Sequence, residues 1–105
     1  MRPLCLGVYL KGVGVLSEAL RLWREGRYFE VHEVLEEAWR EARGEERRFL
    51  QGLILLAAAL HQQGLGKSGL RNLRKAEARL KDLPSPYLGL DWRPLLLEAR
   101  RRLGA

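Results

Sequence analysis

Apolar residues recur along this chain at intervals of three and four, the spacing that places them on one side of an α-helix. No stretch shows the sustained two-residue alternation of a half-buried strand. The connecting segments are short and rich in glycine and proline, so neighbouring helices are expected to pack antiparallel. The pattern therefore predicts an all-α fold, a compact antiparallel bundle of about five helices with a central apolar helix. The predicted helices span about residues 16–26, 27–43, 45–63, 68–82 and 92–103 of a single domain, 1–105.

Residues 1–14 include one proline and three glycines, which predicts an irregular N-terminal arm. The third predicted helix differs from the others because residues 53–60 are all apolar. A helix that is apolar on every side is expected at the centre of a bundle. Its polar positions are therefore informative, and they are chiefly Gln51, His61 and Gln62.

The second predicted helix carries ionisable groups inside its apolar stripe. At about 100° per residue, Trp39 and Tyr28 fall within about 40° of His32, and Glu36 lies about 40° to its other side. Glu33 lies farther round, among carboxylates that a solvated face would carry. A charged group on a core-facing stripe requires a partner, because burying an unpaired charge costs roughly several kcal/mol of folding free energy.

Three alternatives remain open for His32 and Glu36. They could form a structural polar cluster with Gln51, hydrogen-bonded between two helices. They could line a small-ligand or catalytic pocket, where a carboxylate orients a histidine base. They could also hold a divalent metal together with His61, because residues at i and i+4 can present two ligands to one ion.

The aromatic residues near this cluster are Trp23, Tyr28, Phe29 and Trp39. We interpret them as core residues in the first instance, since large aromatic side chains dominate the burial of small domains. Aromatic side chains beside a His–Glu pair are also typical of small-molecule sites.

The excess of positive charge lies in the last third of the chain. Residues 1–66 carry equal numbers of basic and acidic side chains, and residues 67–105 account for the whole net charge of +6. The fourth predicted helix places Arg71, Arg74, Lys75 and Arg79 on one side. Such a surface could bind a phosphate backbone. No aromatic residue lies among these cations to stack on bases, so a solvated face is the favoured interpretation.

Other sequence features bear on the cellular compartment, membrane association and oligomeric state. The single Cys5 excludes an intramolecular disulfide and fits a reducing cytoplasm. Lys11 interrupts the apolar N-terminus, which therefore lacks the pattern of a signal peptide. The longest apolar run has eight residues, too few to cross a bilayer, so no membrane association is expected. Homo-oligomers are common among soluble proteins and remain open here.

The stretch from Tyr28 to Glu36, followed by Trp39, resembles the signature of a family of small all-helical prokaryotic proteins known only as a domain of unknown function. Residues 49–54, 57–61 and 89–91 are similar to later blocks of that family, and the resemblance covers about residues 15–100. Lys67 and Leu70 depart from it, where the family would have asparagine and alanine. The resemblance implies a helical bundle and no particular reaction. It marks as signature positions His32, Glu33, Glu36, Trp39, Gln51 and His61.

Overall fold

The computed structural model describes the backbone of residues 4–105 and the side chains of residues 14–105. The described chain is all-α, with no strand, and confirms the predicted fold class. Its five helices are α1 (Leu4–Arg24), α2 (Tyr28–Glu41), α3 (Gly44–Gly64), α4 (Leu70–Leu80) and α5 (Arg93–Leu103).

The first helix begins much earlier than predicted. It starts at Leu4, so the expected irregular arm over residues 1–14 is wrong for residues 4–14, and residues 1–3 lie outside the described chain. Glycines disfavour a helix by only about 1 kcal/mol each and do not forbid it. The one strong helix breaker of this stretch, Pro3, precedes the first helical residue in sequence.

Helix α3 is the central element, as its apolar character predicted. It packs against α2 on one flank and against α4 on the other. Phe49, Leu56 and Ala57 in α3 are completely buried. Behind α3, Leu53 meets Trp23 of α1 and Leu95 of α5 around a small apolar cavity. The hydrophobic core therefore surrounds α3 and includes buried residues from all five helices.

Small residues allow α4 to approach α3 closely. A Cβ on Gly69, just before α4, would lie 2.3 Å from the carbonyl oxygen of Ala59. A Cβ on Gly52 would lie 2.6 Å from the Leu80 side chain. Glycine at both positions fixes how closely these two helices pack.

The segment between α4 and α5 wraps around Trp92, which is almost fully buried and donates its indole N–H to the carbonyl of Pro84 at 2.7 Å. Asp91 lies just before α5, where aspartate is a common helix-capping residue. Its carboxylate instead accepts a hydrogen bond from Ser85, and Trp92 occupies the N-cap position. Asp91 therefore closes the loop by pairing with Ser85, six residues earlier. Helix-capping rules do not anticipate this pairing.

One side of α3 is not covered by another helix. Its side chains are partly or well exposed, although they lie on the most apolar helix of the chain. We call this surface, together with the adjoining edges of α2 and α4, the open face. Its α3 residues are Gln51, Ile54, Leu55, Ala58, His61 and Gln62, and Leu65 follows directly after the helix.

Candidate functional site

A shallow groove of about 230 Å³ runs between α2 and α3 on the open face. Because the two helices are antiparallel neighbours, the beginning of α2 lies beside the end of α3. This arrangement brings together His32 and His61, which are 29 positions apart in sequence. The groove is lined by Phe29, His32, Ala58, His61 and Gln62.

Phe29 contacts both histidines. Its ring centroid lies 6.2 Å from that of His32, in a stacked arrangement, and 5.3 Å from that of His61. The Phe29 side chain is 51% exposed, so the interpretation of this residue as core is wrong. The core side of α2 is formed by Val31, Leu35 and Ala38, and Phe29 lies beyond its edge.

Neither histidine forms a hydrogen bond or an ion pair with any side chain or backbone group of the described residues. The Nδ1 atom of His32 is buried without a partner. His32 and His61 are partly buried as residues. The Nε2 atom of His32 and both ring nitrogens of His61 are nevertheless not among the buried unpaired atoms. Hydrogen-bonding atoms of both imidazoles thus remain available at the groove.

The other members of the expected polar cluster are paired elsewhere. Glu36 lies 3.8 Å from the guanidinium of Arg40, one turn along α2. Gln51 accepts a hydrogen bond from Arg79 at 3.1 Å. The structure therefore brings His32 close to His61, without a hydrogen bond from His32 to either Glu36 or Gln51.

Gln62, one of the informative polar positions of the central helix, lines the groove. Its side-chain oxygen accepts a hydrogen bond from Asn72 of α4 at 2.9 Å. Helical spacing could have identified this residue and Ala58, because both lie on the side of α3 that carries His61. Their exposure depends on which side of α3 the other helices cover.

Trp39 lies at the opposite end of α2 from the groove. The guanidinium of Arg47 stacks on its ring at 3.9 Å from the centroid and donates hydrogen bonds to the carbonyls of Trp39 and Ala42, both at 3.4 Å. These contacts add side-chain donors to carbonyl groups at the end of α2, where the Trp39 carbonyl also accepts from the Ala42 N–H at 3.2 Å. Trp39 and Arg47 therefore join the end of α2 to α3. Glu33, another signature position, is exposed.

A metal site was predicted at His32, Glu36 and His61. Among residues 14–105, no three or more His, Cys, Asp or Glu side chains lie together in a way that could hold a metal ion. Catalytic zinc normally has three protein ligands. The structure supplies two histidines at this place and no third ligand of those types.

A second cavity, of about 430 Å³, adjoins the first, with His61 lining both. Tyr28 and Arg102 lie on its far side, and Arg102 donates a hydrogen bond to the Tyr28 hydroxyl at 2.7 Å. Burial raises the pKa of Tyr28, and the positive charge of Arg102 offsets part of this effect. The hydroxyl therefore stays protonated at neutral pH.

The predicted basic surface is exposed on α4. Arg71, Arg74 and Lys75 form no ion pair with the described residues, and Arg79 reaches Gln51. Its use for nucleic acid stays a prediction.

Within the described chain, no helix has the length and apolar character needed to cross a membrane.

Comparison with known proteins yields relatives without an assigned activity. A family model described as a domain of unknown function (DUF309) matches residues 16–72. An uncharacterized protein of Aquifex aeolicus (strain VF5) is 32% identical over 80 residues, which are 73% of this chain and 24% of that protein. The chain therefore spans about a quarter of the length of that relative.

The fold resembles a solved structure. The crystal structure of a conserved hypothetical protein from Thermus thermophilus superimposes with a TM-score of 0.83 at 73% sequence identity. The match covers 86% of this chain and 96% of that one. All five residues that line the groove fall within the segment matched by the family model.

Proposed function

The chain belongs to the DUF309 family, and on that premise we propose that it is a ligand-binding module whose site is the groove between α2 and α3. The observation that supports this proposal most directly is the pairing of two histidines, from different helices, around a half-exposed phenylalanine. Neither imidazole has a polar partner among the described residues. A structural cluster would have consumed these hydrogen-bonding groups, because buried polar atoms in folded proteins are normally paired.

The groove favours a small flat ligand with a hydrogen-bonding edge. Phe29 offers an aromatic surface for stacking, and His32 and His61 offer ring nitrogens that can donate or accept. At about 230 Å³, the groove is smaller than the roughly 300–1,000 Å³ of drug-sized sites. A single-ring compound, or the planar side chain of a peptide, matches this size.

Binding is favoured over catalysis by the position of Glu36. A histidine that acts as a general base is usually oriented by a carboxylate at hydrogen-bonding distance. Glu36 is the carboxylate that sequence spacing offers for this role, and it lies beside Arg40 instead. The longer Aquifex relative supports a modular role, and the lone Cys5 supports action in the cytoplasm.

The proposal is tested by a thermal-shift screen with single-ring probes such as benzoate, nicotinate and indole, and with zinc and manganese ions. A probe that binds only the native state raises the melting temperature, and the rise grows with the logarithm of its concentration above Kd. We expect at least one ring probe to stabilise the wild type, and to have no effect on Phe29→Ala or His61→Ala.

The matched control is Leu97→Ala, which shortens a side chain that is 59% exposed on α5, away from the groove. It should respond to the probe like the wild type. A probe that stabilises Phe29→Ala and His61→Ala as much as the wild type would contradict the proposed site. Stabilisation by a metal alone would instead favour the metal-site interpretation.

A further inference from the structure

The open face has an apolar centre and two flanks of opposite charge. The α2 flank carries Glu33 and Glu36, with Arg40 beside Glu36, and keeps a net negative charge, whereas the α4 flank carries Arg71, Lys75 and Arg79. Between them, α3 and the residue that follows it expose apolar side chains that no helix covers. These are Ile54, Leu55 and Ala58, which are partly buried, and Leu65, which is 60% exposed.

We propose that the open face binds a second copy of this chain and forms a two-fold symmetric dimer. A nucleic acid would be attracted by the α4 flank but repelled by the carboxylates of α2 on the same surface. The face requires a partner with an apolar centre, one acidic edge and one basic edge. The open face of another copy has this composition.

Charge also selects the orientation of the two copies. A two-fold axis perpendicular to α3, within the interface, would place α2 against α2 and α4 against α4, so that like charges meet. An axis parallel to α3 places α2 of each copy against α4 of the other, so that Glu36 faces the cations around Lys75 of the partner subunit. The two α3 helices then meet along Ala58, where the short side chain allows a close approach. Only this arrangement is isologous and complementary.

The area of the face fits a weak contact between two copies. At a rise of about 1.5 Å per residue and a helix spacing of about 9 Å, α3 with the adjoining halves of α2 and α4 presents roughly 450 Å² in projection. Two such faces bury about 900 Å² in total, below the range for standard-sized interfaces and within that of weak, transient ones. The predicted dimer is therefore a reversible one.

The dimer would also cover the groove. Because the axis runs along α3, the groove of each copy meets the beginning of α4 of the other, where Ser68, Arg71 and Asn72 line a further cavity of about 400 Å³. This consequence rests on the proposed function, since it gives the ligand a second set of contacts. The dimer itself does not rest on the proposed function, because its test measures the molecular mass in solution without any ligand.

The first experiment is sedimentation equilibrium of the full chain over a range of concentrations. We expect a monomer–dimer equilibrium for the wild type and a monomer for Ala58→Arg, because a long cation at the centre prevents contact between the α3 helices. Ser17→Arg is the matched control, since Ser17 is exposed on α1, and it should dimerise normally. A wild type that stays monomeric at millimolar concentration would overturn the proposal.

Charge reversal tests the orientation. The α2 variant carries Glu33→Lys and Glu36→Lys, the α4 variant carries Arg71→Glu and Lys75→Glu, and circular dichroism checks that both are folded. Each should weaken dimerisation by about tenfold or more, and the variant with all four changes should recover it. Reversal of two exposed cations elsewhere, Arg24→Glu with Arg101→Glu, is the matched control and should leave dimerisation unchanged.

Failure of the fourfold variant to recover dimerisation would overturn the proposed orientation. If the wild type is monomeric and is retained on DNA at low salt, with retention lost in the α4 variant, the open face binds nucleic acid and the dimer is wrong. Ligand stabilisation is measured separately on the same proteins. A dimer that binds no ring probe would refute the groove alone, and a ring-binding monomer would refute the dimer alone.

Discussion

His32 has one buried nitrogen without a partner, and its imidazole lies beside an exposed aromatic ring. An unpaired buried polar atom costs about 1–3 kcal/mol. Such a cost is tolerated in a folded protein when the residue serves a function. His32 thus lowers the stability of the fold while it serves the proposed binding role.

We predict that His32→Leu leaves the fold intact and changes the free energy of unfolding by no more than about 1 kcal/mol, in the stabilising direction, because it removes the unpaired nitrogen. Chemical denaturation followed by circular dichroism measures this change. A loss of about 1–3 kcal/mol would instead indicate the structural polar cluster. Gln51→Leu is the matched control, since its oxygen accepts from exposed Arg79, and the change should be small.

Sequence patterns predicted part of the site at this scale. Helical spacing placed His32 beside Tyr28 and Trp39 on α2, and the polar exceptions on the apolar third helix pointed to His61. The spacing of one helix does not show where its buried side ends, because that depends on the neighbours it meets. For this reason Phe29 was interpreted as core, and the pairing of Glu36 with Arg40 was not anticipated.

At the scale of helices, the packing of α4 on α3 depends on two glycines. We predict that Gly69→Ala lowers the free energy of unfolding by about 1–3 kcal/mol, because the new Cβ meets the Ala59 carbonyl, a backbone group that cannot rotate away. Denaturant unfolding measures the change. Gly64→Ala, at a helix position open to solvent, is the control and should be neutral or slightly stabilising. Equal effects at both positions would contradict this explanation.

The number and order of the helices could be predicted because each has its own apolar stripe and its own boundary residues. Gly26, which follows α1, adopts the left-handed conformation with a φ of 77°, which is common for a glycine just after a helix. The beginning of α1 could not be predicted in this way. Several glycines in residues 4–14 suggested a loop, but their total cost does not prevent a helix.

For the whole molecule, the distribution of charge decides between two classes of partner. The basic flank of α4 lies on the same face as the acidic flank of α2, so we predict no retention on DNA or RNA at physiological ionic strength. Gel-shift assays at several salt concentrations measure this. The prediction would be contradicted by an association constant whose logarithm falls steeply with the logarithm of the salt concentration, if this binding is lost when the charges of Arg74 and Lys75 are reversed.

The central claim is that the groove between α2 and α3 binds a small flat ligand, and NMR titration with single-ring compounds tests it most directly. We predict that the compounds which bind shift the resonances of the five groove residues, Phe29, His32, Ala58, His61 and Gln62, in a saturable manner. The resonances of exposed Leu97 on α5 should stay unchanged. Shifts that cluster elsewhere, or a library with no compound that perturbs the groove at millimolar concentration, would contradict the claim.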